Sequence, residues 1–483
     1  MSDEKSLWHS TTTIKSRDTL LKDIECDVLV IGAGIAGVLT AYYLTQNNIN
    51  TVVVEASGIC SGQTKNTTAK ITSQHGACYS EIENKFSTDT ALAYANANEQ
   101  AIGDFDKIIY DNHIDCDFVR LPSYLYTLKS IGLIEREFNI IRKSSVTASL
   151  TRRTELPFGV RLALRYGNQA QFNPYPFISK LCGYISIFEN TRVLKVENNI
   201  AYCENAKIKA QKIVFATHYP IVNFPGLYFM RMHQSRSYVV ALKNTPTLKS
   251  MYYCADKGGL SFRSYKDYIL ISGCSHRTGE NSVIAQPFEY LYKQALKFYP
   301  KAQLCNNFSA QDCMSPDSLP YAGLYSKSRV NWYVLSGFSK WGMTSSMISA
   351  KLVSDMILGN RNPLDNILSP SRFNFSTIKP VINETVHAVK GLSKTALRIP
   401  LESIADIKRG EAKVVMYGGK RCGVYRSEEG EIYAVSARCP HLGCALSWNV
   451  AEKTWDCPCH GSRFKYNGEL LDSPSQVSLK RYN

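Results

Sequence analysis

Two short motifs near the end of the chain hold the residues best suited to binding a metal. Cys439-Pro-His441 is the first motif, and Cys457-Pro-Cys-His460 is the second, so together they offer two thiolates and two imidazoles. Two thiolates on one iron and two imidazoles on the other give the ligation of a Rieske [2Fe–2S] centre, in which each motif supplies one ligand to each iron. Tetrahedral zinc is the alternative, because Cys and His at short spacings also suit that ion. We predict that these four residues bind an iron–sulfur cluster.

The same stretch resembles Rieske domains of the respiratory type. Those domains carry a disulfide between the two ligand loops, at the positions that Cys444 and Cys459 occupy in this chain. Ser462 lies where high-potential members direct a hydroxyl at a bridging sulfide, and Phe464 stands where they usually have a tyrosine. Because phenylalanine cannot donate a hydrogen bond, the resemblance implies an intermediate reduction potential within the Rieske range of about −150 to +300 mV.

A glycine motif near the start of the chain is typical of a dinucleotide site. Residues 27–31 read as a buried parallel strand, which leads into Gly32-Ala-Gly34-Ile-Ala-Gly37 and then into a helical run. The first glycine permits a tight turn, the second lets the backbone approach a pyrophosphate, and the third lets the helix pack on the strand. Glu55 ends the second strand, at the interval expected for an acid that binds a ribose hydroxyl. Strand, helix and acid in register therefore predict a dinucleotide site.

The sequence contains no second Gly-x-Gly-x-x-Gly, so we expect one dinucleotide rather than two. Reductases that feed Rieske proteins from NAD(P)H typically need one site for FAD and another for the nicotinamide, which argues against that class. A glycine-rich turn in another α/β domain is the alternative interpretation of the motif. A membrane span over residues 26–44 is disfavoured, because Asp27 and three glycines interrupt it and no positive flank orients it.

Most of residues 24–360 resembles the D-amino-acid oxidase (DAO)-like family of FAD oxidoreductases. The segment Gly62–Lys70 and a late glycine turn at residues 337–344 carry this resemblance together with the first glycine motif. In that family, the helix after the late turn points its N-terminus at the flavin ring. The spacing around Cys313 is shorter than in sarcosine oxidases with cysteine-linked flavin, so we expect non-covalent FAD. The residues that the resemblance implies for FAD binding are Gly32, Gly34, Gly37, Glu55, Thr64, Ala69, Lys70, Val193, Ala216, Gly337, Gly342, Met343 and Thr344.

The same resemblance implies residues that contact the substrate. Enzymes of the family oxidise a C–H bond next to nitrogen by hydride transfer to flavin N5, and they often hold a substrate carboxylate with an arginine. Arg263 lies on a strand where the family often presents such a group, and Arg236 and Tyr238 are alternatives on the neighbouring strand. His75 follows the flavin-proximal segment, and Lys340 suits stabilisation of anionic reduced flavin. We predict Arg263, His75, Lys340 and Tyr238 as catalytic residues, and a purely structural role is the alternative for each.

The pairing of flavin with an iron–sulfur cluster favours an FAD-dependent dehydrogenase of an amine-like or amino-acid-like substrate. Flavin converts hydride chemistry into single-electron steps, and the cluster would pass these electrons to a separate acceptor. An oxidase that passes its electrons from flavin to O₂ needs no such electron-transfer centre. The alternatives are a flavin reductase fed inward by a ferredoxin or flavodoxin, and a redox-sensing binding protein. A Rieske oxygenase is disfavoured, because the sequence shows no convincing two-His-one-carboxylate group for mononuclear iron.

The length of 483 residues is enough for two or three domains. We predict a lead-in segment at residues 1–24, a DAO-like oxidoreductase at 25–362, a linker or docking helix at 363–398 and a Rieske domain at 399–483. The expected fold is multidomain. It combines an α/β, Rossmann-like FAD-binding domain and its antiparallel β substrate subdomain with an all-β Rieske domain.

Charge and cysteine content bear on location and partners. The 15 cysteines are scattered and the start of the chain is polar, which predicts a cytoplasmic protein with no signal peptide and no membrane span. The predicted Rieske segment holds 12 basic and 10 acidic residues, so most of the net charge of +15 lies before it. A solvated surface explains this charge, and docking of an acidic electron carrier is the alternative. We expect a small-molecule substrate and a one-electron carrier protein as partners, and no nucleic acid.

Overall fold

The computed structural model describes residues 6–280, 284–372 and 403–482. The helices in these residues are α1 (Ile35–Gln46), α2 (Cys78–Lys85), α3 (Thr88–Asp111), α4 (Gly132–Ile141), α5 (Pro174–Leu181), α6 (Pro287–Phe298) and α7 (Gly342–Leu358). The strands before residue 372 are β1 (Ile24–Ile31), β2 (Thr51–Val54), β3 (Lys70–Ile71), β4 (Val119–Arg120), β5 (Ser123–Thr127), β6 (Ala148–Thr151), β7 (Leu162–Tyr166), β8 (Ala170–Gln171), β9 (Ser186–Phe188), β10 (Val193–Glu197), β11 (Ile200–Cys203), β12 (Lys207–Phe215), β13 (His233–Lys243), β14 (Met251–Cys254), β15 (Ser261–Tyr265), β16 (Tyr268–Arg277), β17 (Gln303–Met314), β18 (Tyr321–Leu324) and β19 (Trp332–Ser336). The strands after residue 402 are β20 (Ala412–Tyr417), β21 (Lys420–Arg426), β22 (Ile432–Ser436), β23 (Ser447–Asn449), β24 (Thr454–Asp456), β25 (Arg463–Lys465), β26 (Leu470–Asp472) and β27 (Arg481–Tyr482).

The first sheet forms the Rossmann-like part of the fold. Strands β9, β2, β1, β12 and β19 run parallel in that order, while β10, β11 and β18 add antiparallel edges. Residues 28–30 of β1 are almost fully buried, as expected for an apolar β-branched run in a parallel sheet. Because parallel strands end at one edge of a sheet, the turns that follow β1, β2, β12 and β19 all open on the same side.

The second sheet is mainly antiparallel and has the order β17-β13-β16-β15-β14-β5-β7-β6. Its long strands β13 and β17 pair along their whole length, and β16 pairs with the other edge of β13. Successive side chains of a strand point to opposite faces of the sheet. One face of β13 therefore meets the first sheet across a cavity, whereas the other face meets the C-terminal domain.

The lead-in segment is anchored by a tryptophan. Trp8 is completely buried, donates its indole N–H to the carbonyl of Thr67 at 2.6 Å, and packs edge-on against Tyr265 with ring centroids 4.8 Å apart. Leu20 is also buried. The described part of the segment is thus anchored to the oxidoreductase at Trp8 and Leu20, while most residues between them are exposed or half-buried.

The C-terminal domain is all-β, as the sequence predicts. Strands β20, β21, β22 and β27 form one antiparallel sheet, and β23 to β26 form another. The two metal-ligand motifs lie in the loops before β23 and between β24 and β25. Trp455 and Phe464 are fully buried beneath these loops. The multidomain fold class predicted from the sequence is confirmed.

The predicted linker or docking helix at residues 363–398 lies largely outside the described residues. Its first part, up to Arg372, consists of turns that pack Leu364 and Leu368 into the core. The guanidinium of Arg372 forms a buried ion pair with Asp317 at 2.6 Å. The oxidoreductase part therefore extends in close contact at least to residue 372.

Candidate active site and cluster-binding loops

A cavity of about 1220 Å³ lies at the carboxyl edge of the first sheet. The second sheet forms its opposite wall through residues such as Ser237 and Ser272. The C-terminal domain closes part of it with Leu470, Asp472 and Ser473. All three structural units therefore contribute to one site.

The first glycine motif shapes one end of this cavity. Gly32 has a φ of +109°, and a Cβ there would lie 2.5 Å from the carbonyl oxygen of Ala216. A Cβ on Gly37 would lie 2.0 Å from the carbonyl oxygen of Gly32, so this residue lets helix and strand pack closely. Helix α1 begins after Gly34 with no side-chain cap and no acid in its first turn. The N–H of Ile35 donates to Thr64 Oγ1 at 3.0 Å, and the first residues of the helix line the cavity. The positive end of the helix therefore faces the cavity and suits the pyrophosphate of FAD.

The late glycine turn shapes the other end. Gly337 follows the last residue of β19 and has a φ of +71°, and Gly342 and Met343 line the cavity at the start of α7. This helix also has no side-chain cap and no acid in its first turn. Its positive end is therefore available to the electron-rich edge of a flavin ring. Two uncapped helix N-termini at the ends of one long cavity fit an extended dinucleotide such as FAD.

Most residues predicted to bind FAD line the cavity. Those that line it are Gly32, Gly34, Glu55, Thr64, Lys70, Val193, Ala216, Gly342 and Met343. The structure does not place the others in its wall, namely Gly37, Ala69, Gly337 and Thr344. Direct FAD contact remains a prediction for all of them, and the second group shapes the turns and the helix packing around the cavity.

The carboxylate of Glu55 stands at the end of β2 as predicted. It accepts hydrogen bonds from the backbone N–H groups of Ala33 at 2.9 Å and Ser57 at 3.0 Å. Burial raises its pKa, and these bonds together with Arg192 oppose that shift. The remaining lone pairs of a carboxylate held in this way can accept hydrogen bonds from a ribose.

Two of the predicted catalytic residues, His75 and Lys340, line the cavity. The Nε2 of His75 lies 2.9 Å from Thr344 Oγ1, and its ring stacks on Trp341 with centroids 5.1 Å apart. Burial lowers the pKa of His75 to about 3, so its imidazole is neutral at physiological pH. Lys340 donates to Ser275 Oγ at 2.7 Å and lies 3.7 Å from the carboxylate of Asp312. His75 therefore joins the flavin-proximal segment to α7, and Lys340 places a cation in the cavity wall.

The structure does not place Arg263 in the cavity wall. Its buried guanidinium donates to Gln171, to the carbonyl of Thr68 and to the carbonyl of Phe172, and it lies over the ring of Trp8. All these partners are structural, so the guanidinium has no open edge for a substrate carboxylate. This finding argues against the substrate-binding role predicted for Arg263. The sequence could not show that the lead-in tryptophan covers this strand.

Tyr238 and its alternative Arg236 also lie outside the cavity wall, for a different reason. The cavity is lined by Ser237 and Val239, so the side chains of 236 and 238 point to the opposite face of β13. There Arg236 makes a buried ion pair with Glu452 of the C-terminal domain. The hydroxyl of Tyr238 lies 3.1 Å from a nitrogen of His276. These side chains serve the domain interface, which argues against the catalytic role predicted for Tyr238.

The buried ion pair is part of a larger charged group, centred on Glu452. Its carboxylate also binds Arg463 at 2.8 Å and accepts a hydrogen bond from Ser309 at 2.5 Å. Burial alone would raise the pKa of Glu452, but Arg236 and Arg463 hold it down to about 2. The C-terminal domain is thus joined to the second sheet by a charge that is fully ionised at neutral pH.

The four predicted metal ligands come together in the C-terminal domain. The thiols of Cys439 and Cys457 share a hydrogen bond, which lowers the pKa of the first and raises that of the second. The rings of His441 and His460 are perpendicular, with centroids 5.0 Å apart. The Nδ1 atom of His441 is buried and has no hydrogen-bond partner among the described residues. Two adjacent thiols and an unsatisfied imidazole nitrogen fit an iron–sulfur cluster.

A disulfide joins Cys444 to Cys459 with their Cα atoms 6.6 Å apart, as the Rieske resemblance implies. Both cysteines are buried, and the Cys457 sulfur lies within 4.8 Å of the disulfide sulfurs. The hydroxyl of Ser462 accepts a hydrogen bond from the N–H of Ser475 at 3.0 Å. This bond ties the second ligand loop to the segment after β26, which covers it.

The histidine side of this domain faces the oxidoreductase. His441 Nε2 lies 2.8 Å from Asn223 Oδ1, and the ring of Phe229 packs edge-on against His460 with centroids 5.8 Å apart. The carbonyl of His460 accepts a hydrogen bond at 2.7 Å from Gln234, a residue that lines the cavity. A cluster at this position would therefore lie just behind the cavity wall.

Several polar residues of the cavity wall carry no motif that sequence reasoning can recognise. Gln63, Gln234 and Gln311 line the cavity and contact the C-terminal domain, and no motif marks them. His218 also lines it, with a buried Nε2 that has no partner in the part of the chain the structure describes. Burial lowers the pKa of His218 to about 4.

No helix within the described residues is both long and apolar enough to cross a bilayer. The stretch at residues 26–44 consists of strand β1, the glycine turn and part of α1.

Comparison with known proteins agrees with this arrangement. The family model for FAD-dependent oxidoreductases (DAO) matches residues 27–356, and the model for the Rieske [2Fe-2S] domain matches residues 398–483. YhfW of Bacillus subtilis (strain 168), named as a Rieske 2Fe-2S iron-sulfur protein, is 36% identical over 99% of this chain and 97% of its own length. The iron-sulfur subunit of the cytochrome b6-f complex of Chlorobaculum thiosulfatiphilum is 30% identical over 107 residues, which are 22% of this chain and 58% of that protein.

Solved structures share the fold of the oxidoreductase part. L-proline dehydrogenase from P. horikoshii has a TM-score of 0.62 at 18% identity, covering 73% of this chain and 98% of its own. Glycine oxidase from Geobacillus kaustophilus has a TM-score of 0.61 at 16% identity, covering 72% and 99%. The family matches identify the cofactors as FAD and a Rieske [2Fe–2S] cluster. The chain belongs to the DAO family of FAD-dependent oxidoreductases and carries a C-terminal Rieske domain.

Proposed function

We propose that this oxidoreductase is a dehydrogenase that oxidises an amine-like or amino-acid-like substrate and passes the electrons singly through its Rieske cluster to an acceptor. The observation that carries the proposal is the contact between the ligand loop and the cavity wall, where Gln234 donates to the carbonyl of His460. An enzyme that delivered its electrons to O₂ at the flavin would have no use for a cluster held in this place.

The cofactors and the residues around them have different roles in this function. FAD supplies a two-electron acceptor that can release electrons one at a time, and the cluster supplies a one-electron centre. Gly32 and the N-terminus of α1 would hold the pyrophosphate. The neutral imidazole of His75 keeps the flavin-proximal segment against Thr344 of α7. The C-terminal domain excludes water from the side of the cavity that Leu470 and Asp472 close.

The cations of the cavity support a substrate with a carboxylate. Several lysines and arginines line the cavity. With Arg263 engaged elsewhere, we take Lys70 and Lys340 as the candidates for binding the carboxylate, because both hydrogen-bond to the second sheet, at Ser261 and Ser275. The ammonium of Lys70 is buried and donates to Ser261 Oγ and to the carbonyl of Tyr252, and no carboxylate pairs with it among the described residues. Structures of similar fold are named as proline dehydrogenase and glycine oxidase, and both names refer to carboxylate-bearing amines.

The direct test is anaerobic mixing of the purified protein with a panel of amino acids and secondary amines. We expect at least one of them to bleach the flavin absorbance and then to produce the EPR signal of the reduced cluster. If no member of the panel reduces the flavin, but a reduced ferredoxin or flavodoxin does so through the cluster, the current runs inward and the dehydrogenase proposal is wrong. The cytoplasmic location predicted from the sequence remains part of the proposal.

Replacement of Lys70 by methionine is expected to slow flavin reduction by the substrate about tenfold, which corresponds to about 1.4 kcal/mol. Burial lowers the pKa of Lys70 to about 7, so the amine carries its charge below that pH and loses it above unless an anion is bound. Anaerobic stopped-flow traces between pH 6 and 9 provide the measurement. Wild-type rates should fall as the pH rises, and the variant should lose this dependence.

Lys243→Met is the matched control for this experiment, because Lys243 pairs with Asp267 at 3.0 Å on the outer part of β13 and does not line the cavity. It should behave as the wild type. Equal rates and equal pH profiles in Lys70→Met and the wild type would exclude a role for the buried amine.

A further inference from the structure

Three glutamines form a continuous hydrogen-bonded connection between the FAD cavity and the cluster ligand loop, residues 457–462. Gln311 Nε2 donates to Gln234 Oε1 at 2.6 Å and to the carbonyl of Gly461 at 2.9 Å. Gln234 Nε2 donates to the carbonyls of His460 at 2.7 Å and Ser473 at 3.1 Å. Gln63 Oε1 accepts from the backbone N–H of Gln311 at 2.8 Å. We call Gln63, Gln234 and Gln311 the glutamine bridge.

The two central glutamines are fully satisfied although almost no water reaches them. Gln234 is 2% exposed and Gln311 is 1% exposed. The remaining acceptor of Gln311 is bound by the hydroxyl of Thr278 at 3.1 Å. Burying an amide without partners is costly, so a buried network that satisfies its members holds a single geometry. The bridge therefore fixes the distance between the cavity wall and the ligand loop.

Two glycines allow the loop and the wall to approach this closely. A Cβ on Gly461, which has a φ of +81°, would lie 2.7 Å from Cβ of Gln234. On the oxidoreductase side, a Cβ on Gly279, which has a φ of +74°, would lie 2.3 Å from the backbone nitrogen of Pro458. Both contacts involve the ligand loop itself and not the outer parts of the domain. The close contact between the ligand loop and the cavity wall therefore requires glycine at both positions.

Both ends of the bridge reach groups that matter for electron transfer. Gln63 follows Gly62 in the segment that resembles the FAD-binding part of the DAO family, and it lines the cavity together with Gln234 and Gln311. Its Nε2 donates to Asp472 of the C-terminal domain at 3.1 Å. At the other end, His460 is a predicted ligand of the cluster. The bridge thus spans from the dinucleotide segment to a ligand backbone.

We propose that the glutamine bridge is the positioning device that sets electron exchange between FAD and the cluster. This inference rests on the proposed function, in which the two cofactors exchange electrons. In the outward direction, reduced FAD would give up one electron, and the cluster would take it up by passing from two ferric ions to one ferric and one ferrous ion. The second electron would follow once an external one-electron oxidant had taken the first from the cluster. The bridge moves no proton and no atom in this exchange.

The two central glutamines, Gln234 and Gln311, make no hydrogen bond to Glu452, Arg236 or Arg463 among the described residues. They bond to each other and to carbonyls of residues 460, 461 and 473. Gln63 reaches the charged group indirectly, because its acceptor Asp472 also pairs with Arg463 at 3.0 Å. Changes in Gln234 or Gln311 should therefore alter the exchange of electrons without releasing the domain, which makes the proposal testable in the intact protein.

The test uses the full-length protein loaded with both cofactors, in which a light pulse with an external photoreductant reduces the flavin anaerobically. Absorbance at flavin and cluster wavelengths then gives the rate of electron equilibration without any substrate. We expect Gln234→Met and Gln311→Met to slow equilibration by at least about tenfold. They should also change the g-values of the reduced cluster, because the hydrogen bonds to the ligand loop are lost.

Gln303→Met is the matched control, since Gln303 lies on the same strand as Gln311 but is exposed and far from the loop. It should equilibrate at the wild-type rate. Gln63→Met breaks the bridge at the end away from the ligand loop, so it should slow equilibration with the iron content unchanged even if the other variants lose iron.

The outcomes separate the two proposals. Equal rates and unchanged EPR spectra in the bridge variants and the wild type overturn the bridge but leave the dehydrogenase proposal standing. Absence of any exchange in the wild type removes the electron route on which both proposals depend. Slow exchange in the bridge variants with no amine substrate found would support the bridge and count against the dehydrogenase.

Discussion

The Cys457→Ser variant is expected to lose the iron–sulfur cluster while it keeps FAD. Cys457 is fully buried between its partner thiol Cys439 and the disulfide, so the serine hydroxyl would be a poor ligand in a site built for thiolate. Changing a residue that only supports the direct ligands of a metal site typically lowers metal affinity or activity 10–100-fold. Loss of a direct ligand should therefore lower cluster affinity by more than about 100-fold. Iron analysis and the EPR signal of the reduced protein provide the measurement. Flavin reduction by the substrate should survive, because the cavity is lined mainly by other units.

Cys422→Ser is the control for this variant. Cys422 is a buried free cysteine on β21 of the same domain, and its thiol donates to the backbone carbonyl of Lys420 at 3.7 Å. It packs in an apolar cluster with Val415 and Val424, separate from the cluster that holds the metal-ligand cysteines. The same change of sulfur to oxygen should therefore leave iron content and EPR spectrum unchanged. Retention of a full Rieske signal in Cys457→Ser would remove this residue from the ligand set.

The Glu452→Gln variant is expected to lose about 3–5 kcal/mol of stability at neutral pH. The change removes the carboxylate that pairs with the buried guanidinium of Arg236, and one of the three carboxylates that pair with that of Arg463. Urea unfolding of the loaded protein, followed by tryptophan fluorescence, provides the measurement. The transition should move to lower urea, with the C-terminal domain affected first because Glu452 anchors it to the second sheet.

The stability that Glu452 contributes is expected to decrease as the pH falls. The pKa of Glu452 falls from its ordinary value of 4.5 to about 2 in the folded protein, so the folded state favours the ionised form. Its stabilising effect is complete above the unfolded pKa and is lost as the pH falls from about 4.5 towards 2. The difference between wild type and variant should therefore be constant near neutrality and shrink in acid.

Glu428→Gln is the matched control in the same domain. Glu428 is mostly exposed and lies 3.6 Å from Lys453. A surface ion pair of this kind contributes about 0–1 kcal/mol. A loss of stability in Glu452→Gln no larger than that of Glu428→Gln would show that the buried charged group does not hold the domain.

The chemistry of the chain was predictable where a few residues close in sequence carry it. The metal motifs and the first glycine motif each occupy a short loop, so spacing alone identifies the donor atoms and the turn. The disulfide between Cys444 and Cys459 followed from the resemblance to Rieske domains, and the structure contains it. The all-β nature of the last domain followed from its short alternating strands.

The substrate side was less predictable, because it depends on which face of a strand meets the cavity. Arg236 and Tyr238 alternate with Ser237 and Val239 on β13, and both sets are consistent with a buried sheet. When a second domain packs on a sheet, the face that it covers and the face that lines a cavity are both buried, so their sequence patterns cannot be told apart. Arg263 is occupied by carbonyls that are distant in sequence, which no local pattern reveals.

The glutamine bridge lies furthest from what sequence reasoning can find. Gln63, Gln234 and Gln311 come from a turn and two strands, and glutamine in such positions usually faces solvent. The C-terminal domain packs on the cavity wall at Gln234 and Gln311, which are buried, and accepts hydrogen bonds from all three amides. The same packing places the histidine side of the cluster site against the oxidoreductase rather than in solvent.

An anaerobic redox titration of the loaded protein tests the central claim most directly, with flavin absorbance and the EPR signal of the reduced cluster followed together. The account predicts a cluster potential within the range of about −150 to +300 mV and above that of the flavin, so that electrons leave through the Rieske domain. A cluster potential below that of the flavin would reverse the current and contradict the dehydrogenase.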